Sequence, residues 1–201
     1  MFCFHLSNAA MLPLLSQRAQ KLSIDSSGAY AAATIIIAQS TMIIASLVCL
    51  RLLGGEKSRD LGESNADLHN SHAQREFKLY FWLFFACFFA LIIRGGIAAN
   101  FAGIGGMIFT QILDGVGAGV SDVIVPVIVA FMLRGSGHIN AGLALVLTCG
   151  GLGAALSNGV GGYFAQVYGY FSAYLFLGAV ATAGLGLWIV GAKIIMRKSN
   201  A

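Results

Sequence analysis

The stretch from residue 104 to residue 133, IGGMIFTQILDGVGAGVSDVIVPVIVAFML, decides the fold class of this chain. It stays apolar for longer than the roughly 20 residues that a helix needs to cross about 30 Å of hydrocarbon. It does not show the alternation of apolar and polar residues over about 10 residues that is typical of a strand in a membrane barrel. The stretch therefore predicts a membrane-spanning α-helix.

The composition of the whole chain also indicates a lipid environment. Of the 201 residues, 58% are hydrophobic and 10% are charged, and the mean hydropathy is +0.81. Soluble domains carry about 25% charged residues. The chain has 26 glycines, and abundant glycine suits helices that approach closely inside a membrane. We therefore predict an all-α membrane protein whose surroundings are the lipid bilayer.

Six apolar stretches predict six transmembrane helices in a single domain that covers residues 1–201. The first stretch is short for a full span. It is followed, not preceded, by Arg18 and Lys21, unlike a secretory signal, so we interpret it as a helix with a shortened start. A polar loop is predicted at 54–76, and the helices are expected at about 1–17, 30–53, 77–99, 104–133, 139–167 and 171–196.

Lysine and arginine residues are distributed unevenly between the two ends of these helices. Cytoplasmic loops retain positive charge, so the more basic side predicts a multi-pass protein of the cell membrane with both termini in the cytoplasm. That side carries Arg51, Lys57, Arg59, Arg75, Lys78, Arg134, Lys193, Arg197 and Lys198, and the other side carries Arg18, Lys21 and Arg94. The net charge of +4 is not clustered on a soluble module, which argues against a nucleic-acid partner.

Two carboxylates, Asp114 and Asp122, lie within the predicted fourth helix. A charge at the centre of a membrane helix costs about 2.5–3.5 kcal/mol on insertion scales unless it is paired or hydrated. The two residues are about 12 Å apart along the helix axis and about 80° apart around it. Asp122 is predicted either to face a proton or substrate pathway or to bond a neighbouring helix. Asp114 is predicted either to cap or pair near the outer end of the helix, with Arg94 as the candidate partner, or to face the same pathway.

Other polar side chains in the apolar stretches are further candidates for a pathway. His5 and Asn8 share one face of the first helix because they are three residues apart. His5 could carry a proton, or both residues could form hydrogen bonds between helices. Asn158, next to Ser157 in the fifth helix, offers the same two alternatives. Gln111 adds a polar side chain to the fourth helix.

Small residues predict close helix packing in the fourth and fifth helices. The two runs suit backbone-to-backbone contact between these helices, and a smooth face also suits helices that move during transport. The glycines predicted to pack are Gly115, Gly117, Gly119, Gly151, Gly153, Gly161 and Gly162.

Several function classes are disfavoured by what the sequence lacks. The four cysteines form no CxxC pattern or Cys/His cluster, so no metal site is expected. A haem carrier would need paired histidines on spanning helices, and only His5 lies on one. No Gly-rich phosphate loop followed by Lys-Ser/Thr is present. We therefore expect no enzyme, no catalytic residue and no cofactor.

The order of motifs along the chain resembles the major facilitator superfamily. The segments QILDGVGAGV at 111–120, Pro126, RGSG at 134–137 and GLGAALSNGVGG at 151–162 are similar to the last three helices of such a transporter. The segment FHLSNAAMLPLLSQ at 4–17 resembles the helix that opens its second half. The resemblance covers essentially the whole chain.

This resemblance implies that the chain is the carboxy-terminal six-helix lobe of a two-lobed secondary carrier. Such a carrier moves a small solute by alternating access, with its site at the bilayer midplane. The implied partners are a small-molecule substrate, protons, and a second lobe or a second copy of the chain. The implied direction is efflux, and the implied cavity residues are His5, Asn8, Gln111, Asp114 and Asp122. The alternative is a membrane subunit, or a remnant of a carrier, that keeps the fold without transporting.

Overall fold

The computed structural model describes the backbone of residues 1–24, 28–60 and 66–199, and the side chains of residues 1–24, 28–54 and 74–196. Every regular element in these ranges is an α-helix. In chain order the helices are α1 (Phe2–Asn8), α2 (Met11–Lys21), α3 (Ala29–Asp60), α4 (Ala66–Asn100), α5 (Ile104–Met132), α6 (Ile139–Val167) and α7 (Gly169–Ser199).

The first predicted helix is interrupted. Instead of one helix over about 1–17, the chain forms α1 and α2 with a break at Ala9 and Ala10. Pro13 lacks the N–H group that would bond the carbonyl oxygen of Ala9, and its ring crowds that carbonyl. The N–H group of Ala10 donates instead to Oγ of Ser157 in α6, at 3.0 Å. The break therefore follows from Pro13 and is stabilised by a side chain of another helix.

Five helical segments are long and apolar enough to cross a membrane. They are Ala29–Gly54, Gln74–Asn100, Ile104–Met132, Ile139–Val167 and Gly169–Met196. These five segments correspond to the second to sixth predicted spans, whereas α1 and α2 are each shorter than a span. The predicted loop at 54–76 also differs from the structure, because α3 continues to Asp60 and α4 begins at Ala66. Residues 61–65 lie outside the described residues.

The helices pack in a definite order around α5 and α4. Helix α5 contacts α3 on one side and α4 on the other, and α4 also packs against α7. Helices α1 and α2 lie against α6 and α7. Large apolar side chains such as Trp82, Phe109 and Leu187 are more than 60% exposed. Because such side chains are stable in acyl chains and not in water, this outer surface identifies a multi-pass membrane protein.

Candidate functional site

A buried ion pair joins α4 to α5. Nη1 of Arg94 lies 3.0 Å from Oδ1 of Asp114, and the Arg94 side chain is fully buried whereas that of Asp114 is 16% exposed. The same Nη1 atom donates a hydrogen bond to Oδ1 of Asn8 in α1. The partner expected for Asp114 from the sequence is therefore the one observed, and Asn8 is a third member that ties the end of α1 to the pair.

Gln111 lies one helical turn before Asp114 and is fully buried. Both polar atoms of its amide lack a hydrogen-bond partner among the described residues, as do Nε and Nη2 of Arg94. Asn8, Arg94, Gln111 and Asp114 are called the polar network below. Leaving a buried polar group unpaired costs about 1–3 kcal/mol, so these atoms are of the kind that a ligand would satisfy.

The polar network lies between two apolar clusters. One cluster includes Met11, Leu14 and Tyr174, and the other includes Phe4 and Ile124. Helices α4 and α5 contribute side chains to both clusters, and α1 contributes Phe4 to the second. The network is therefore a polar layer within an otherwise apolar interior, where a low dielectric strengthens electrostatic interactions.

A second charged position lies two turns further along α5. Asp122 is exposed at the surface of the helix bundle, whereas the carboxylate of Asp114 is mostly buried. His5 in α1 is half-buried, and it lies close enough to Asp122 for their charges to interact. Asp122 lies within the segment Ile104–Met132, which is long and apolar enough to span a membrane, whereas His5 lies on the shorter helix α1.

Asn158 is separate from these two groups. It is exposed on α6, and its Nδ2 donates to the carbonyl oxygen of Ala154 in the same helix, at 3.1 Å. The candidate side chains thus form two groups, the polar network and the His5–Asp122 pair, and Asn158 joins neither. Their role in a pathway remains a prediction.

The glycine faces pack, but against different helices from those expected. A Cβ atom at residue 115 would lie 2.5 Å from the carbonyl oxygen of Ala38 in α3, and one at Gly119 would collide with that of Met42. Gly117 faces Phe4 and α4 instead. The expected mutual packing of the two glycine runs is therefore wrong for these three residues.

The glycines of α6 pack against the broken first helix. A Cβ at Gly153 would collide with the carbonyl oxygen of Phe2, and one at Gly161 would lie 2.7 Å from Cβ of Ala10. At Gly151 and Gly162 an added Cβ would meet no atom of the described part of the chain. A packing role for these last two glycines stays a prediction.

Two anchoring residues were not predicted from the sequence. Nη1 of Arg18 donates to the carbonyl oxygen of Ala98 at the end of α4, at 2.6 Å, and the guanidinium group lies over the ring of Tyr174. Ser157 stabilises the break between α1 and α2 by accepting a hydrogen bond from the N–H group of Ala10. A basic residue at the end of an apolar helix is a sequence signal that could have indicated the capping role of Arg18. The sequence around Ser157 gives no such signal for its bond to Ala10.

Comparisons with known proteins give relatives but neither a family model nor a solved structure. No family model matches the chain, and no solved structure matches it. Two proteins of Mycobacterium tuberculosis, from strains CDC 1551 and H37Rv, are each 32% identical over 187 residues. Both are named as uncharacterized MFS-type transporters.

The matched region covers 93% of this chain but 40% of each relative. The chain thus spans about two fifths of the length of the curated relatives that it matches. The abbreviation in their names stands for the major facilitator superfamily, the family that the motif order of this chain resembles.

Proposed function

We propose that this chain is one lobe of a secondary transporter that moves a small solute across the cell membrane, driven by protons. The observation that carries this proposal is the set of polar groups inside apolar helices, with the polar network in the interior and Asp122 at the surface of α5. Ionisable residues within membrane segments commonly belong to substrate or proton pathways. The names of the two relatives support the same function.

In this proposal Asp122 and His5 carry the proton. Asp122 is the exposed carboxylate, so it can exchange a proton with a cavity, whereas Asp114 is held as the counter-ion of the buried Arg94. Protonating Asp114 would leave the Arg94 charge uncompensated in the interior, which is strongly unfavourable. The two carboxylates of α5 therefore take different roles, one in coupling and one in structure.

Replacing Asp122 with Asn is expected to abolish proton-coupled transport. The purified chain would be reconstituted into liposomes that contain a pH-sensitive dye, and a panel of small solutes would be added outside. A transported solute produces a change in internal pH, and its sign gives the direction, which we propose to be export. In Asp122→Asn this change is expected to disappear, because the amide cannot bind and release the proton.

Thr148→Ala is the matched control for this experiment. Thr148 is also an exposed polar residue of an apolar helix, and its hydroxyl donates to Ala144 within α6. Transport by this variant should equal that of the wild type. Coupled transport that persists in Asp122→Asn would exclude the relay role. If no solute moves protons, even with two copies of the chain in one assembly, the alternative of a transport-inactive membrane subunit is favoured.

We further propose that a second lobe completes the pathway, either as additional chain or as a second copy. The relatives are long enough for such a lobe, since this chain spans two fifths of them. The exposed Asp122 and Asn158 are polar, and an apposed lobe would shield them from lipid, where uncompensated polar groups are costly.

The proposed orientation places the more basic end of the helices in the cytoplasm. Three bases lie on the opposite side, and each has a partner within the lobe. Arg94 pairs with Asp114, Arg18 bonds the end of α4, and Nζ of Lys21 lies over the ring of Tyr170. Because these bases serve packing, they do not argue against the proposed topology.

A fluorescent protein that matures only in the cytoplasm, fused after Ala201, is expected to fluoresce in cells that express the chain. The matched control fuses a periplasmic phosphatase at the same position, which should stay inactive. If the fluorescent-protein fusion were dark and the phosphatase fusion were active, the carboxy terminus would lie on the side of the membrane opposite the cytoplasm.

A further inference from the structure

A cavity with a volume of about 550 Å³ lies at one end of the helix bundle, bounded by α3, α4, α5 and the first residue of α6. Its walls come from the ends of four membrane-spanning segments. The segments Ala29–Gly54 and Ile104–Met132 end here, whereas Gln74–Asn100 and Ile139–Val167 begin here. The ends of spanning segments lie where the hydrocarbon core meets the lipid headgroups. The cavity is therefore at the headgroup level of the bilayer.

Most of the cavity wall is apolar. On α5 it extends from Val127 to Phe131, which is about 6 Å along the helix axis. Leu50 is 53% exposed and Ile139 is 37% exposed, so part of this wall belongs to the outer, lipid-facing surface of the bundle. The apolar residues that line the cavity are Leu50, Leu53, Val127, Ala130, Phe131 and Ile139.

Two opposite charges also line the cavity. Nη2 of Arg134 lies 3.8 Å from Oε2 of Glu76, and the Arg134 side chain is 65% exposed. This distance is too long for a hydrogen bond, so Glu76 does not fix the five N–H donors of the guanidinium group. The guanidinium group also lies over the ring of Phe131, 5.8 Å from its centre, which places the positive charge beside the apolar wall.

The described residues around the cavity carry an excess of positive charge. Arg51, Arg75 and Lys78 are exposed and lie close in sequence to lining residues. Together with Arg134 they outnumber Glu76, which is the only carboxylate among the described residues of these four helix ends. A surface of this charge favours an anion, and basic pockets between membrane helices bind anionic lipid headgroups.

We propose that this cavity binds an anionic phospholipid of the bilayer, with its phosphate on Arg134 and the upper part of an acyl chain along the apolar wall. A soluble phosphate would leave the apolar wall uncovered, and a lipid without net charge would leave the excess positive charge unbalanced. Glu76 competes with the phosphate for Arg134. The inference goes beyond the proposed transport function and does not depend on it.

The test measures lipid binding to the purified full chain, freed of lipid and held in detergent micelles, by native mass spectrometry. The probe is phosphatidylglycerol. Phosphatidylcholine with the same acyl chains is the control without net charge, and glycerol 3-phosphate is the soluble control. Phosphatidylglycerol is expected to stay bound to the chain, phosphatidylcholine should bind more weakly, and glycerol 3-phosphate should not displace the bound lipid.

Arg134→Gln is expected to lower the affinity for phosphatidylglycerol about tenfold, the scale of one lost hydrogen bond to a charged group. Lys193→Gln is the matched control, because Lys193 is an exposed base at the same end of α7, a helix that does not line this cavity. This variant should bind the lipid as the wild type does. Glu76→Gln removes the competing carboxylate and should therefore bind the lipid more tightly than the wild type.

Ala130→Leu tests the part of the site that holds the acyl chain. The larger side chain would fill the apolar part of the cavity while Arg134 stays in place, so the affinity for phosphatidylglycerol should fall. The thermal stability of the lipid-free variant shows whether it is folded, and if it is not, the Arg134 and Glu76 variants decide.

Four results would overturn the proposal. They are equal binding of the two phospholipids, unchanged affinity in Arg134→Gln, an equal loss of affinity in Lys193→Gln, and weaker binding in Glu76→Gln. Displacement of the lipid by glycerol 3-phosphate would also contradict it, because the ligand would then be a soluble anion.

Discussion

Removing one charge of the Arg94–Asp114 pair is expected to destabilise the lobe by about 3–5 kcal/mol, because the remaining charge is then buried without a partner. Both Arg94→Gln and Asp114→Asn should show this loss. The loss for Asp114→Asn should be the larger, since the charge that it leaves unpaired, on Arg94, is fully buried, whereas the Asp114 side chain is 16% exposed. Denaturant unfolding in detergent micelles, followed by tryptophan fluorescence, measures the effect.

The double variant Arg94→Gln with Asp114→Asn is expected to recover most of the lost stability. Replacing both members of a buried ion pair by neutral groups is often close to neutral, whereas breaking the pair is not. The matched control is the Glu76–Arg134 pair, whose atoms are 3.8 Å apart and whose arginine side chain is 65% exposed. Neutralising either member of that pair should cost about 1 kcal/mol or less. Additive losses in the double variant would show that the two charges are not coupled.

Alanine at Gly115 or Gly119 is expected to destabilise the contact between α3 and α5 by about 1–3 kcal/mol for each substitution, the scale of an overpacked core. The added Cβ would meet main-chain oxygens of α3, those of Ala38 and Met42, and a main chain cannot move aside as a flexible side chain can. The two helices would have to separate along their length. The same unfolding experiment measures the loss.

Gly151→Ala and Gly159→Ala are the controls for this prediction. Neither added Cβ would meet an atom of the described chain, and alanine is the better helix former, so these variants should be as stable as the wild type or more stable. If Gly119→Ala were as stable as Gly159→Ala, the two backbones would not approach as closely as described.

Much of the fold follows from local sequence properties. The length of each apolar stretch predicts a span, and five such segments are found at the second to sixth predicted positions. The partner of Asp114 was also predictable, because a carboxylate in an apolar helix needs a countercharge and Arg94 is a lone base near the end of the preceding helix.

The remaining features depend on tertiary contacts that one sequence does not reveal. Small residues indicate a face suited to close packing, but which helix they meet depends on the arrangement of the bundle, so the partner of Gly119 was missed. Pro13 was visible in the sequence, yet the break that it causes requires Ser157, 147 residues away, to bond the freed N–H group of Ala10. The burial of Gln111 likewise depends on neighbours from other helices.

The bonds that hold the first two helices have a consequence for how the chain is made. Arg18 bonds a carbonyl oxygen 80 residues later in the chain, and it also lies over the ring of Tyr174 in the last helix. During synthesis these partners do not yet exist when the amino-terminal segment leaves the ribosome. That segment can make these contacts only after the last helix has been inserted, so it completes its packing later than helices that follow it in the chain.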